Sequence, residues 1–148
     1  MTQTTRILSM LSQIKRLHDG MLRESCGEGL SLVEDNVISF LENNPDRDTA
    51  ADIVELRGMS KGNVSQAVDK LVGKGMLGCV RDARDKRVMH LMILPGAREA
   101  AQAAARANSA FREEILRGVT PEEALLMEKV LEKISLNVKN ALEKRKME

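Results

Sequence analysis

The chain has 148 residues, enough for one domain with a sizeable core, and a formal charge of +1. It contains no Trp or Tyr and only two Phe, so it lacks the aromatic platforms on which single strands and RNA loops are stacked. Two cysteines make no disulfide framework and no Cys/His spacing makes a zinc site, so no metal or cofactor is expected. No apolar run approaches membrane-spanning length, and the first twenty residues are polar and charged where a signal peptide would be apolar. A cytoplasmic protein without a membrane role is expected.

The small net charge conceals an uneven distribution. Residues 24–56 carry nine acids and one base, whereas residues 57–98 carry nine bases and three acids. A basic block between acidic and neutral ones is the footprint of an element that neutralises duplex phosphates. The competing reading is a chance cluster offset by neighbouring acids.

In chain order, residues 5–23 place Ile7, Leu11, Ile14, His18 and Met21 on one helical face, a helix–helix seam. Cys26-Gly27-Glu28-Gly29 is read as a loop. Ser31 and Glu34 form a capping box, with Leu30 placed as a hydrophobic staple, and the helix they open should bury Val33, Val37, Phe40 and Leu41. Asn44-Pro45 ends it. Residues 49–57 (TAADIVELR) form a short helix stopped by Gly58, and Ser60 caps the next helix almost at once. So tight a connection predicts a helix-turn-helix.

Residues 60–75 (SKGNVSQAVDKLVGKG) put Val64, Ala67, Val68 and Leu71 on one apolar stripe. The opposite face is polar and glycine-bearing, which suits close approach to a large polar partner. Residues 76–81 and 88–94 are β-prone and flank Asp82-Ala83-Arg84-Asp85-Lys86-Arg87, a charged turn with no core to join. Cys79 is expected half-buried in the first of these strands. Helix-turn-helix followed by a charged hairpin predicts a winged helix. Its second helix would enter the major groove and its hairpin would reach backbone or minor groove.

Residues 95–116 are alanine-rich and helical. Thr120-Pro121-Glu122-Glu123 starts a last helix on which Met127, Leu131, Ile134 and Val138 repeat by four and three. That seam is too long for one small winged helix to cover, and a second copy of the chain is its natural partner. Packing within one subunit is the alternative. The predicted fold is mainly α with a small β-hairpin wing, a winged helix-turn-helix joined to a helical dimerisation layer. Residues 1–24 and 95–148 form the layer and residues 30–94 the DNA-binding region. Ile7, Leu11, Ile14, Met127, Leu131, Ile134 and Val138 are the predicted dimer contacts.

Residues 52–94 (DIVELRGMSKGNVSQAVDKLVGKGMLGCVRDARDKRVMHLMIL) resemble the MarR family of bacterial transcriptional regulators. The most specific match is the wing, where Asp82, Arg84, Asp85 and Arg87 fit the family's D-x-R-D-x-R pattern. Two positions depart from it. Cys79 stands where many members carry a basic residue, which either removes one expected phosphate contact or moves it to Arg81. Leu94-Pro95 stands where Leu-Thr is usual, which changes the cap of the fifth helix. The resemblance implies a homodimer on pseudo-palindromic duplex DNA. It also implies release by a small anionic, often aromatic effector held between the dimer layer and the winged helix, or by cysteine oxidation.

The side chains expected to meet DNA are Ser60, Lys61, Asn63, Ser65, Gln66, Lys70, Arg81, Arg84, Lys86 and Arg87. Gln66 can read adenine, Arg84 reaches minor groove or phosphate, and Arg87 pairs with Asp85 to brace the wing. No catalytic residue is expected: His18 and His90 are read as structural, and neither Glu113-Glu114 nor Glu122-Glu123 makes a catalytic dyad. A winged-helix dimer used only for protein contact, and a thiol-based redox regulator acting through Cys26 or Cys79, are the competing functions.

Overall fold

The computed structural model describes residues 1–147. Six α-helices and one two-stranded sheet follow in the order α1 (Gln3–Cys26), α2 (Leu32–Asn43), α3 (Ala50–Arg57), α4 (Lys61–Gly73), β1 (Leu77–Arg81), β2 (Met89–Ile93), α5 (Arg98–Ile115) and α6 (Pro121–Lys146). The result is a winged helix, mainly helical with a small hairpin, as the sequence predicts. The chain falls into two compact units, one spanning Met1–Arg112 and the other beginning at Glu113.

The helix starts follow local chemistry. Ser31, Thr49 and Thr120 each accept a bond from the backbone three residues on, and Glu34, Asp52 and Glu123 return one to the cap, so all three starts are capping boxes. Ser60 caps α4 through Asn63 N–H. Gly58 closes α3 at φ 66°, a left-handed conformation that only glycine takes without strain. At the other end of α4, Met76 N–H bonds Leu71 C=O and Gly75 N–H bonds Val72 C=O, with Gly75 at φ 72°. This is a Schellman ending, and its apolar partner Met76 packs against the core.

The core of the first unit gathers Leu22 of α1, Val37, Ile38, Phe40 and Leu41 of α2, Ile53 of α3, Val64, Ala67, Val68 and Leu71 of α4, Leu77 and Leu91 of the hairpin, and Ala101, Ala104 and Ala107 of α5. The hairpin is antiparallel, with Cys79 opposite Leu91 and Val80 opposite His90. In α6 none of the described residues is buried, and Met127, Leu131, Ile134 and Val138 are exposed. In α1, Ile7 and Leu11 are exposed, Ile14 is half-buried, and His18 and Leu22 are buried.

Three local expectations need correction. Helix α1 does not end near Arg23 but continues through Cys26, which therefore belongs to a helix rather than a loop. The Arg23 guanidinium bonds Gly27 C=O and Leu30 C=O and satisfies the carbonyls beyond the extra turn. Cys79 is exposed, not half-buried. Strand β2 runs against α2 and α3 and is tied to the connection between them by Leu91 N–H donating to Asp48 C=O, while the middle of β1 faces outward. The helix expected from residue 95 opens instead with a 3-10 turn over Pro95–Ala97, because Leu94 offers no side-chain cap.

Polar groups are buried among these helices as well. His18 Nε2 lies 3.0 Å from Asn108 Oδ1, which also accepts from Ser39 Oγ at 3.2 Å, and Arg57 Nη2 donates to the same Ser39 Oγ at 3.2 Å. The His18 ring meets Phe111 edge-on at 5.1 Å, and the Arg57 guanidinium lies 5.7 Å from the Phe40 ring centroid. One polar relay thus joins α1, α5, α2 and α3. Asp35, with its side chain 1% exposed, lies 3.4 Å from Arg23 Nη1, and among the described residues neither of its oxygens has a hydrogen-bond donor.

Burial pushes the Asp35 carboxyl up to about 6, against the pull of Arg23. The fold therefore favours the neutral carboxyl, whereas the unfolded chain ionises from about pH 4. The Asp35 contribution to stability should fall as pH rises from about 4 to 6 and level off above. Asp35→Asn is expected to abolish that decline. It should be more stable than wild type above pH 6, by on the order of 1–2 kcal/mol in urea unfolding, and little different near pH 4.

Candidate nucleic-acid interface

Burial of Val64, Ala67, Val68 and Leu71 fixes the rotation of α4, so the face carrying Lys61, Asn63, Ser65, Gln66 and Lys70 is turned to solvent. Ser60 at the helix start and Arg81, Arg84, Lys86 and Arg87 of the wing are exposed as well. All ten side chains expected at the interface therefore lie on the surface. Among the described residues Lys61, Lys70, Arg81, Arg84 and Lys86 make no ion pair, so their charges are available to a partner. Lys74, by contrast, is spent on the buried Glu34 at 2.8 Å. Burial lifts the Glu34 carboxyl, but Lys74 and the Ser31 cap outweigh it and hold the group below the usual range.

The spacing of acids in the wing has a structural reason. Asp82 Oδ2 accepts from Arg84 N–H at 2.9 Å and from Asp85 N–H at 2.8 Å, and so builds the turn. Asp85 Oδ1 accepts from Arg87 N–H and Nε, and its Oδ2 accepts from Arg87 Nη2, which confirms the expected brace. Arg87 holds Asp85 below the ordinary carboxylate range. The acids fold the tip and the bases project from it.

Sequence reasoning missed the residue that ties the wing down. His90 Nδ1 lies 2.7 Å from Asp48 Oδ1, in the connection before α3, and Nε2 lies 2.7 Å from Asp82 Oδ1. With the His90 bond as the main cause, and the two backbone donors next, Asp82 is held at about 2. Asp48 and Asp82 in turn raise His90 above its ordinary value. No linear pattern marks this contact, since Asp48 is 42 residues away from His90.

A cavity of about 530 Å³ lies behind α4, lined by α1, α2, the α3–α4 turn and Phe111. Lys15, His18 and Arg57 face it, together with Ser60 and Asn63 from the start of α4. Arg57 Nε is buried without a partner, and burial lowers the pKa of this guanidinium. The Cys26 thiol is raised first by burial and then by Asp35, which disfavours the reactive thiolate. Among the described residues no helix is long and apolar enough to cross a membrane.

Residues 28–88 match the family model described as the MarR family. Solved structures share the fold. One is a MarR-family transcriptional regulator from Silicibacter pomeroyi, at 20% identity over 87% of each chain and a TM-score of 0.72. Another is FabT of Streptococcus pneumoniae in complex with DNA, at 23% identity over 93% of this chain and 96% of that one, TM-score 0.64. A third is BpsR of Bordetella bronchiseptica, whose DNA binding is regulated by 6-hydroxynicotinic acid, at 15% identity over 88% and 98%, TM-score 0.63. No curated protein matches the chain.

Ser60→Ala removes the oxygen that holds the first turn of α4, and is expected to cost about 1 kcal/mol of stability in thermal or urea unfolding.

Proposed function

We propose that this chain, whose residues 28–88 belong to the MarR family, is a homodimeric transcriptional regulator of pseudo-palindromic duplex DNA that a small ligand releases. The observation that carries the reading is the presence, in one folded unit, of an outward polar face on α4 and a wing whose Arg81, Arg84 and Lys86 make no ion pair among the described residues. In this reading α4 lies in the major groove. Gln66 reads adenine there, Asn63, Ser65 and Lys61 contact base edges or backbone, and Ser60 and Lys70 hold phosphates. Arg84 and Lys86 reach the minor groove or its flanking phosphates, with Arg81 and Arg87 beside them. FabT, solved with DNA, supports the nucleic-acid assignment.

Dimerisation is assigned to residues 1–24 and 95–148, with Ile7, Leu11 and Ile14 on α1 and Met127, Leu131, Ile134 and Val138 on α6. The exposure of all of these but the half-buried Ile14 supports it, because large apolar surfaces of this kind call for a partner. A two-fold dimer would set two α4 helices about one turn of DNA apart. The chain carries out no catalytic step in this scheme and works in the cytoplasm, where its operator lies.

The ligand is assigned to the 530 Å³ cavity, whose size and partly apolar lining suit a small aromatic anion beside Lys15 and Arg57, with its charged end turned from the Asp19 carboxylate on the same wall. Regulation of BpsR by 6-hydroxynicotinic acid supports an effector of that chemistry. Ser60 and Asn63 share the cavity wall, so an occupant there presses on the start of the helix that reads DNA. The raised Cys26 thiol weighs against oxidation at that residue as the release signal.

Arg84→Ala is expected to weaken binding to every duplex alike and to reduce the slope of log affinity against log salt by about one. Gel-shift titrations at several salt concentrations, using DNA from beside the chain's own gene, measure this. Affinity left unchanged at moderate salt would take the wing out of the interface. Light scattering should give twice the chain mass, and Leu131→Glu should halve it. A wild-type monomer would overturn the symmetric reading.

A further inference from the structure

His90 stands between two carboxylates, one at each ring nitrogen and each at 2.7 Å. A neutral imidazole has a single N–H and can donate to only one of them; the other contact would then set a ring lone pair against a carboxylate oxygen. The geometry is that of an imidazolium donating twice. Its two acceptors lie in different parts of the unit. Asp82 is the residue that builds the wing turn by accepting Arg84 N–H and Asp85 N–H, whereas Asp48 belongs to the connection that leads into α3. The ring therefore joins the turn that carries Arg84 to the body that carries the recognition helix.

We propose that His90 is a positioning residue for DNA binding: as an imidazolium it clamps the wing turn to the body through Asp82 and Asp48, and loss of its proton releases the wing. The proposal rests on the reading of the wing as a DNA contact. Without the clamp, β2 stays attached at mid-strand, where Leu91 N–H donates to Asp48 C=O, but among the described residues the wing tip keeps no charged tie to the body. The other charged groups nearby are paired elsewhere or make no ion pair among the described residues. Arg87 is paired with Asp85, Arg47 reaches Asp52 at 3.9 Å, and Arg81 and Arg84 make no ion pair among the described residues.

The direction of the pH dependence follows from both partners. The carboxylates raise His90, so its contribution is complete below the ordinary histidine value of about 6.5 and is lost as pH climbs through the higher folded value. Asp82 is held at about 2, so its side of the clamp fails only in strong acid. The clamp is closed in weak acid and opens on the alkaline side of neutrality.

Two measurements test this. Nitrogen-15 NMR of the ring in DNA-free protein should show both His90 nitrogens protonated at about pH 6.5, with titration above the ordinary value. At fixed salt, wild-type affinity for a duplex from the gene's own upstream region should fall about threefold between pH 6.5 and 8.5. His90→Gln should bind at the weaker level throughout, with a flat profile. Asp48→Ala should lower the ring's titration point and weaken binding at pH 6.5, although deleting a negative charge would by bulk electrostatics tighten it.

A ring that is a single neutral tautomer at pH 6.5 overturns the proposal. So does Asp48→Ala protein that binds DNA more tightly with an unaltered pH profile. A wild type that binds no duplex at either pH would sink the DNA reading alone, and the ring measurement would still decide the clamp.

Discussion

Everything on the candidate interface depends on the burial of four small or medium apolar side chains, Val64, Ala67, Val68 and Leu71, on one side of α4. A fully buried Val or Leu is stabilised by roughly 1.5–3 kcal/mol over an exposed one, so turning this helix about its axis would forfeit several such contributions. The ends are fixed as firmly as the rotation. Ser60 holds the first turn, and Gly75 closes the last with a Schellman pair of hydrogen bonds. Lys61, Ser65, Gln66 and Lys70 face solvent because nothing else is left for that side of the helix.

A polar relay lies behind α4 and joins four helices. Ser39 and Asn108 each take part in two of its hydrogen bonds, and the donors come from α1, α2 and α3. Groups of this kind cost free energy if any partner is lost, so the relay fixes the relative position of the helices more sharply than apolar contact alone. The cavity opens beside it, with His18 and Arg57 common to both. A ligand that changed the partners of either residue would act on the α3–α4 turn through bonds already in place.

In the wing, the charges divide into two jobs. Asp82 and Asp85 are spent on backbone N–H groups, His90 and Arg87, and they shape the turn. Arg81, Arg84 and Lys86 are left to carry positive charge outward. A chain of formal charge +1 thereby presents a cationic surface where the fold needs one. The balance of acids lies in residues 24–56, and part of it is buried: Glu34 against Lys74 and Asp35 near Arg23.

By itself the sequence determined the run of helices, most of their ends and caps, the helix-turn-helix and the hairpin, because each depends on residues within about seven positions of one another. Ser31 with Glu34, Thr120 with Glu123, Gly58, the stripe of α4 and the Asp85–Arg87 brace are all local, and all are found where the pattern puts them. What only the tertiary structure decided involves partners far apart along the chain. The His90 clamp to Asp48, the relay from His18 through Asn108 and Ser39 to Arg57, and the unpartnered Asp35 have no spacing that betrays them. Cys79 shows the same limit. Strand periodicity says that it shares a face with Leu91, but the packing of β2 on α2 and α3 buries one and leaves the other open to water.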